Sequence, residues 1–253
     1  MRKTVFLLAL FVTFASCDKP GDCVKSAGAT ASKNYEYDGP GFHTIIVNKG
    51  IALVITEGEN YKVEVRTGEN LVNDITVNVS EGVLTLEDQT TCNWVRDYGQ
   101  TVVYVTAPNL TDIYAKTELN ITSNGTLHYP DLRVVSMDSY DSYNGTGTGD
   151  FFLNIDNESL TVENNNVSRF YVTGQTQDLK LYFYESGGIF YGQEFSAQDI
   201  YLYHRGSNDL YVRPIGSITG EIFNIGNVYS VTHPPDQNVN VVEHYQGKLY
   251  FLE

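Results

Sequence analysis

Three aspartates with chemical potential stand close together in Met137-Asp138-Ser139-Tyr140-Asp141-Ser142-Tyr143-Asn144-Gly145-Thr146-Gly147-Thr148-Gly149-Asp150. Asp138, Asp141 and Asp150 are hard oxygen donors set among glycines, the donor type that calcium takes. The spacing is not that of an EF-hand, and no carboxylate closes the loop at a fixed position; a solvated loop is the other reading. Pairs such as Asp138 with Asp141, or Asp199 with Asp209, could approach as glycosidase carboxylates do, at about 5–5.5 Å in a retaining enzyme. The five histidines (43, 128, 204, 233, 244) show no pairing with a Ser or Cys nucleophile, and nothing resembles a triad, a phosphate loop or a zinc site. Tyr182, Phe183, Tyr184, Phe190, Tyr191, Tyr201, Tyr203 and Tyr211 make a second candidate. Strand alternation turns about half of them outward, and Tyr182, Tyr184, Tyr201 and Tyr203 would then form a flat platform for sugar rings or for a protein. Cross-strand stacking for stability explains the same pattern.

These residues need a scaffold, and the sequence reads as strands and turns. Ile45 and Val47, then Ile51, Leu53 and Ile55, then Val63 and Val65 recur at period two, punctuated by Asn48-Lys49-Gly50 and Gly58-Glu59-Asn60. Ile75, Val77 and Val79 pass through Ser80-Glu81-Gly82 into Leu84 and Leu86, and Val103 and Val105 end at Ala107-Pro108-Asn109. From Leu110 the pattern becomes repetitive. Segments opening at Glu158, Gln177 and Gln198 each give a polar pair, a short strand, an Asn/Gly/Ser break and a second strand. Asp131-Leu132-Arg133-Val134-Val135 reads as an earlier copy and a segment opening at Gly220 as a later one. A period of about twenty residues with two strands per copy predicts a β-solenoid, whose coils must stack to bury their apolar faces. The breaks "ENNN", "ESGG", "HRGSND" and "NIGN" are read as corners, with Asn and Gly accepting left-handed backbone.

The amino terminus supplies an address. Arg2 and Lys3 precede an apolar run from Val5 to Phe14, the form of a secretory signal and too short to span a bilayer. Phe14-Ala15-Ser16-Cys17 resembles a lipobox, with cleavage after residue 16 and acylation of Cys17; an ordinary cleaved signal is the alternative. Residues 17–40 are read as a flexible tether, since they hold few large apolar groups. Residues 41–253 are read as one all-β domain. Cleavage removes Arg2 and Lys3 and no acid, taking the charge from −15 to −17. Such a surface excludes nucleic acid as a partner and leaves the lipid as the link to the membrane. In an oxidising compartment Cys23 and Cys92 are free to pair.

The order Phe42-x-x-Ile45-x-Val47, Val54-x-x-Glu57-Gly58, Val63-x-Val65, Leu71, Ile75-x-Val77, Gly82-x-Leu84-Thr85-Leu86 and Val103-x-Val105-x-Ala107-Pro108-Asn109-Leu110-x-x-Ile113, closing at 220–227, resembles the putative auto-transporter adhesin head GIN domain family. That resemblance implies an all-β fold with right-handed parallel β-helical stacking behind an N-terminal strand-rich cap. It implies a Bacteroidetes-type envelope lipoprotein, at the outer membrane, and an adhesive role toward a surface protein or glycan. It brings no catalytic residues and no cofactor. A β-helical carbohydrate-active enzyme and a structural or sensory envelope component are the competing readings.

Overall fold

The computed structural model describes residues 20–36, 39, 41–90, 93–95, 97, 99–140, 143–144, 147–185 and 187–252. The signal segment, Cys17, Cys92 and Asp141 lie outside them. Among the described residues the helical elements are 3-10 turns at Pro20–Val24 and Asp236–Asn238; all else regular is strand. No helix among them is long and apolar enough to cross a membrane.

The chain runs through β1 (Thr30–Tyr35), β2 (Thr44–Asn48), β3 (Ala52–Glu57), β4 (Lys62–Gly68), β5 (Ile75–Ser80) and β6 (Val83–Asp88). It continues with β7 (Val102–Ala107), β8 (Asp112–Lys116), β9 (Ile121–Leu127), β10 (Asp131–Ser136) and a two-residue pair, β11 (Ser139–Tyr140) and β12 (Tyr143–Asn144). Four long strands follow, β13 (Phe151–Asn164), β14 (Arg169–Phe183), β15 (Ile189–His204) and β16 (Leu210–Ile222). The chain closes with β17 (Val228–Ser230), β18 (Val239–Glu243) and β19 (Leu249–Phe251).

In β13 the buried positions are first odd-numbered (Phe151, Leu153, Ile155) and then even-numbered (Leu160, Val162, Asn164). Strict alternation cannot hold both sets inward, so the long strand bends between them and contributes to two faces. β13 to β16 pair in parallel, each with the next. One inward row runs in register through Leu132, Leu160, Leu179, Ile200, Ile218 and Val239. All but Val239 are at most 2% exposed, so each side chain contributes ~1.5–3 kcal/mol by leaving water. The residue numbers give steps of 28, 19, 21, 18 and 21, close to the expected period.

Three expectations need correction. The last repeat is displaced by four residues from the expected copy: Ile218, not Ile222, pairs with Ile200. A shift of four preserves every inside–outside assignment, so period-two alternation cannot detect it. The region before Leu110 is more than a cap. β2 and β3 already belong to the parallel stack, β2 between β6 and β8 and β3 between β7 and β9. Among the described residues antiparallel pairing is confined to β5 on β6, β4 on β7, β1 on β4 and the β11–β12 pair. The β5–β6 hairpin turns on Glu81 (φ 51°) and Gly82 (φ 78°), the doubly left-handed pair that a tight hairpin needs. Lastly, residues 20–35 are not a free tether. β1 is registered residue by residue on β4, and Cys23 is 3% exposed and disulfide-bonded. An edge strand held by main-chain hydrogen bonds needs few apolar side chains, so composition hid it.

Candidate functional site

Outward residues of the parallel strands form two aromatic rows on different faces. The first is Phe152, Tyr171, Tyr191, Tyr211, Tyr229 and Tyr250, one ring per coil. Successive centroids are 4.8, 4.7, 5.5, 5.5 and 5.4 Å apart, with planes inclined by only 5, 8, 6, 18 and 19°. The coil spacing dictates this arrangement: parallel strands ~4.8 Å apart bring equal side chains to stacking distance. Each interior ring is stacked on both sides, while the terminal Phe152 and Tyr250 each have one ring neighbour and remain exposed. Burial pushes the Tyr211 hydroxyl pKa upward, with Asp209 and the flanking tyrosines Tyr191 and Tyr229 acting in the same sense.

The second row lies at and just beyond the ends of β14, β15 and β16. Tyr182 meets Tyr184 at 6.1 Å and Tyr201 at 5.8 Å, the latter inclined by 50°. Tyr184 meets Tyr203 at 5.8 Å, and Tyr203 meets Phe223 at 4.9 Å, both inclined by 50°. His244 closes the row, stacked on Phe223 at 4.4 Å and hydrogen-bonded through Nε2 to Glu221 at 2.7 Å. Tyr182 and Tyr184 are near-parallel at 14°, as are Phe223 and His244 at 6°, so the tilt falls at Tyr182–Tyr201, Tyr184–Tyr203 and Tyr203–Phe223. All four expected platform tyrosines are thus together on one side, in a herringbone rather than a flat array. Burial, followed by Tyr201 and Glu163, raises the Tyr182 pKa.

Beside this row opens a groove of about 650 Å³ lined by Tyr184, Glu185, Tyr203, Arg205, Phe223 and Asn224. Main-chain bonds define its register: Tyr184 N–H donates to Asn164, Arg205 N–H to Phe183, Phe223 N–H to His204 and His244 N–H to Ile222. Tyr184, Arg205, Phe223 and His244 therefore occupy equivalent positions just past the ends of β14, β15, β16 and β18. Arg205 is an exposed guanidinium standing where its neighbours carry rings. Sequence reasoning missed it, together with His244, and missed Phe223 because the four-residue displacement set Phe223 opposite Tyr201.

The corner holding "NIGN" is where the sequence puts it, between β16 and β17, but for another reason. Gly226 does not have left-handed φ. A Cβ there would lie 2.3 Å from the Asn208 carbonyl oxygen and 2.6 Å from His204 Nε2. Glycine is needed for close approach of stacked corners. His204, fully buried beneath it, makes no hydrogen bond of good geometry through either ring nitrogen among the described residues, the Asn208 backbone being its nearest polar influence. Burial brings its pKa from 6.5 down to about 4, against smaller opposing effects of the Asn208 backbone and the Asp209 carboxylate.

The expected carboxylate sites are dispersed or engaged. Asp138 is exposed and its N–H donates to Asn165 Oδ1 at 2.9 Å. Asp150 accepts from Arg169 N–H at 3.0 Å and lies 3.6 Å from its guanidinium. Among the described residues no three His, Cys, Asp or Glu side chains gather as a metal would require. Asp199 takes the Ser217 hydroxyl, and Asp209 the Asn227 amide.

Comparison with known proteins settles the lineage. The family model described as "Putative auto-transporter adhesin, head GIN domain" matches residues 41–234. The chain belongs to that family. Solved structures share its fold. A putative adhesin from Bacteroides fragilis superposes with a TM-score of 0.76 at 16% identity, covering 90% of this chain and 100% of its own. A putative adhesin from Parabacteroides distasonis gives 0.64 at 12% identity, covering 90% and 99%. A structure described as a putative lipid binding protein, from Parabacteroides distasonis, gives 0.59 at 11% identity, covering 89% and 100%. No curated protein matches.

Proposed function

We propose that this chain is a non-enzymatic binding module, lipid-anchored in the cell envelope, that displays the tilted aromatic row of a right-handed parallel β-solenoid to a surface glycan or protein. The observation that carries the reading is the herringbone of Tyr182, Tyr184, Tyr201, Tyr203 and Phe223 beside an open groove. Tyrosine rings, with an apolar body and a polar edge, contribute large contact area at little conformational cost. The in-register parallel coils support the solenoid reading, and the adhesin family supports the adhesive one. A disulfide at Cys23 supports an oxidising compartment. Cys92 is the partner we assign to it, since Trp94 N–H donates to the Cys23 carbonyl at 2.9 Å; peptide mapping that links Cys23 to another cysteine would refute this.

The test uses the chain without its signal segment on immobilised glycans and surface-protein extracts. Retention that disappears in the double variant Tyr203→Ala, Phe223→Ala supports the reading. Retention unchanged by that variant, or none at all, overturns it. For the anchor, a metabolic fatty-acid label should appear on the wild type and vanish in Cys17→Ser.

A further inference from the structure

We infer that the groove beside Arg205 is a subsite for a carboxylated sugar, a uronate ring whose carboxylate meets the Arg205 guanidinium while its C–H face rests on Tyr203 or Phe223. This rests on the binding reading above and names the ligand class for the same surface.

In a chain with 16 basic and 31 acidic residues, Arg205 is the cation that lines this groove. Six other cations are committed to ion pairs: Lys25 to Asp74, Lys62 and Arg66 to Glu64, Arg133 to Asp112 and Glu163, Arg169 to Asp150, and Lys248 to Glu243. Arg205 makes no ion pair among the described residues, although Glu185 lines the same groove. Its backbone is fixed on both sides: its N–H donates to Phe183 at 2.8 Å, and its carbonyl accepts the Asn224 side-chain amide at 3.1 Å. A planar, permanently charged fork on an anchored backbone is suited to bidentate capture of a carboxylate. The rings of Tyr184, Tyr203 and Phe223 line the same groove and offer apolar surface to C–H groups, while Glu185 and Asn224 offer polar atoms to hydroxyls.

A sugar matches this mixture better than an acidic peptide does. The strands alongside, β14, β15 and β16, are already paired to one another, so no edge is free to receive a peptide backbone. The strongly acidic chain also repels long polyanions over about a Debye length, ~8 Å at physiological salt, whereas a contact pair at Arg205 is screened less. The fitting ligand is therefore a glycan with isolated uronates rather than a continuous polyuronate.

The experiment titrates the chain without its signal segment with a disaccharide ending in glucuronate, its glucose-ended neutral counterpart, and a capped acidic peptide, followed by NMR. The glucuronate probe should bind about tenfold or more tightly than the neutral one, and Arg205→Gln should erase the difference. Circular dichroism on the exposed-site variant should match the wild type. Equal affinity for the two sugars, or preference for the uronate that survives Arg205→Gln, overturns the inference. So does Arg205-dependent binding of the acidic peptide without binding of glucuronate. If no uronate binds while another ligand is lost on Tyr203→Ala, this inference fails and the binding reading stands. If no ligand depends on Tyr203 or Phe223, both fail.

Discussion

Two outward rows of aromatic rings grow from the same coils, yet they are built for different ends. The row from Phe152 to Tyr250 places near-parallel rings 4.7 to 5.5 Å apart and turns their faces on one another. The row containing Tyr184, Tyr203 and Phe223 inclines neighbours by 50° and admits Arg205 among them. Their backing differs as well. Phe151, Phe170 and Phe190 lie behind the stacked row, whereas Asn164, Phe183 and His204 lie behind the tilted one. A regular ladder satisfies its own rings; an irregular one leaves binding capacity unspent.

The largest expected effect concerns the backing. His204 has a folded-state pKa of about 4, below the 6.5 of the free side chain, so its neutral form stabilises the fold. That stability is complete above pH 6.5 and is lost as the pH falls from 6.5 to about 4, a change of about 3 kcal/mol. Urea unfolding at stepped pH should show this slope, and His204→Leu should flatten it. An unchanged slope would mean that the two faces respond alike to acid. Next, Tyr191→Ala removes two stacked contacts and should lower stability by about 1–3 kcal/mol while leaving ligand retention intact. Smallest in stability, Tyr203→Ala should cost about 1 kcal/mol and yet abolish retention. If Tyr191→Ala removed binding and Tyr203→Ala did not, the roles of the rows would be reversed.

Much of this architecture was legible because alternation and turn residues are local. Glu81-Gly82 marks a hairpin by itself, and Leu160, Leu179 and Ile200 announce their common row through spacing alone. What was hidden depends on register between distant segments. Nothing near Ile45 tells that its partners are Leu84 and Ile113. Tyr182, Tyr184, Tyr201 and Tyr203 were recognisable as a cluster, but the tilt that separates a docking face from a stacked one is a property of packing. Extending the period of about twenty from Tyr191 and Tyr211 to Phe152, Tyr171, Tyr229 and Tyr250 would have revealed the stacked row.

The order in which strands enter the stack has a consequence for assembly. β13 to β16 contact partners about twenty residues away, whereas β2 and β3 must wait for partners 39 to 68 residues further along the chain. Loop closure over such spans is entropically slow. The later coils should thus act as the nucleus, with the segment made first by the ribosome being among the last to acquire its native neighbours.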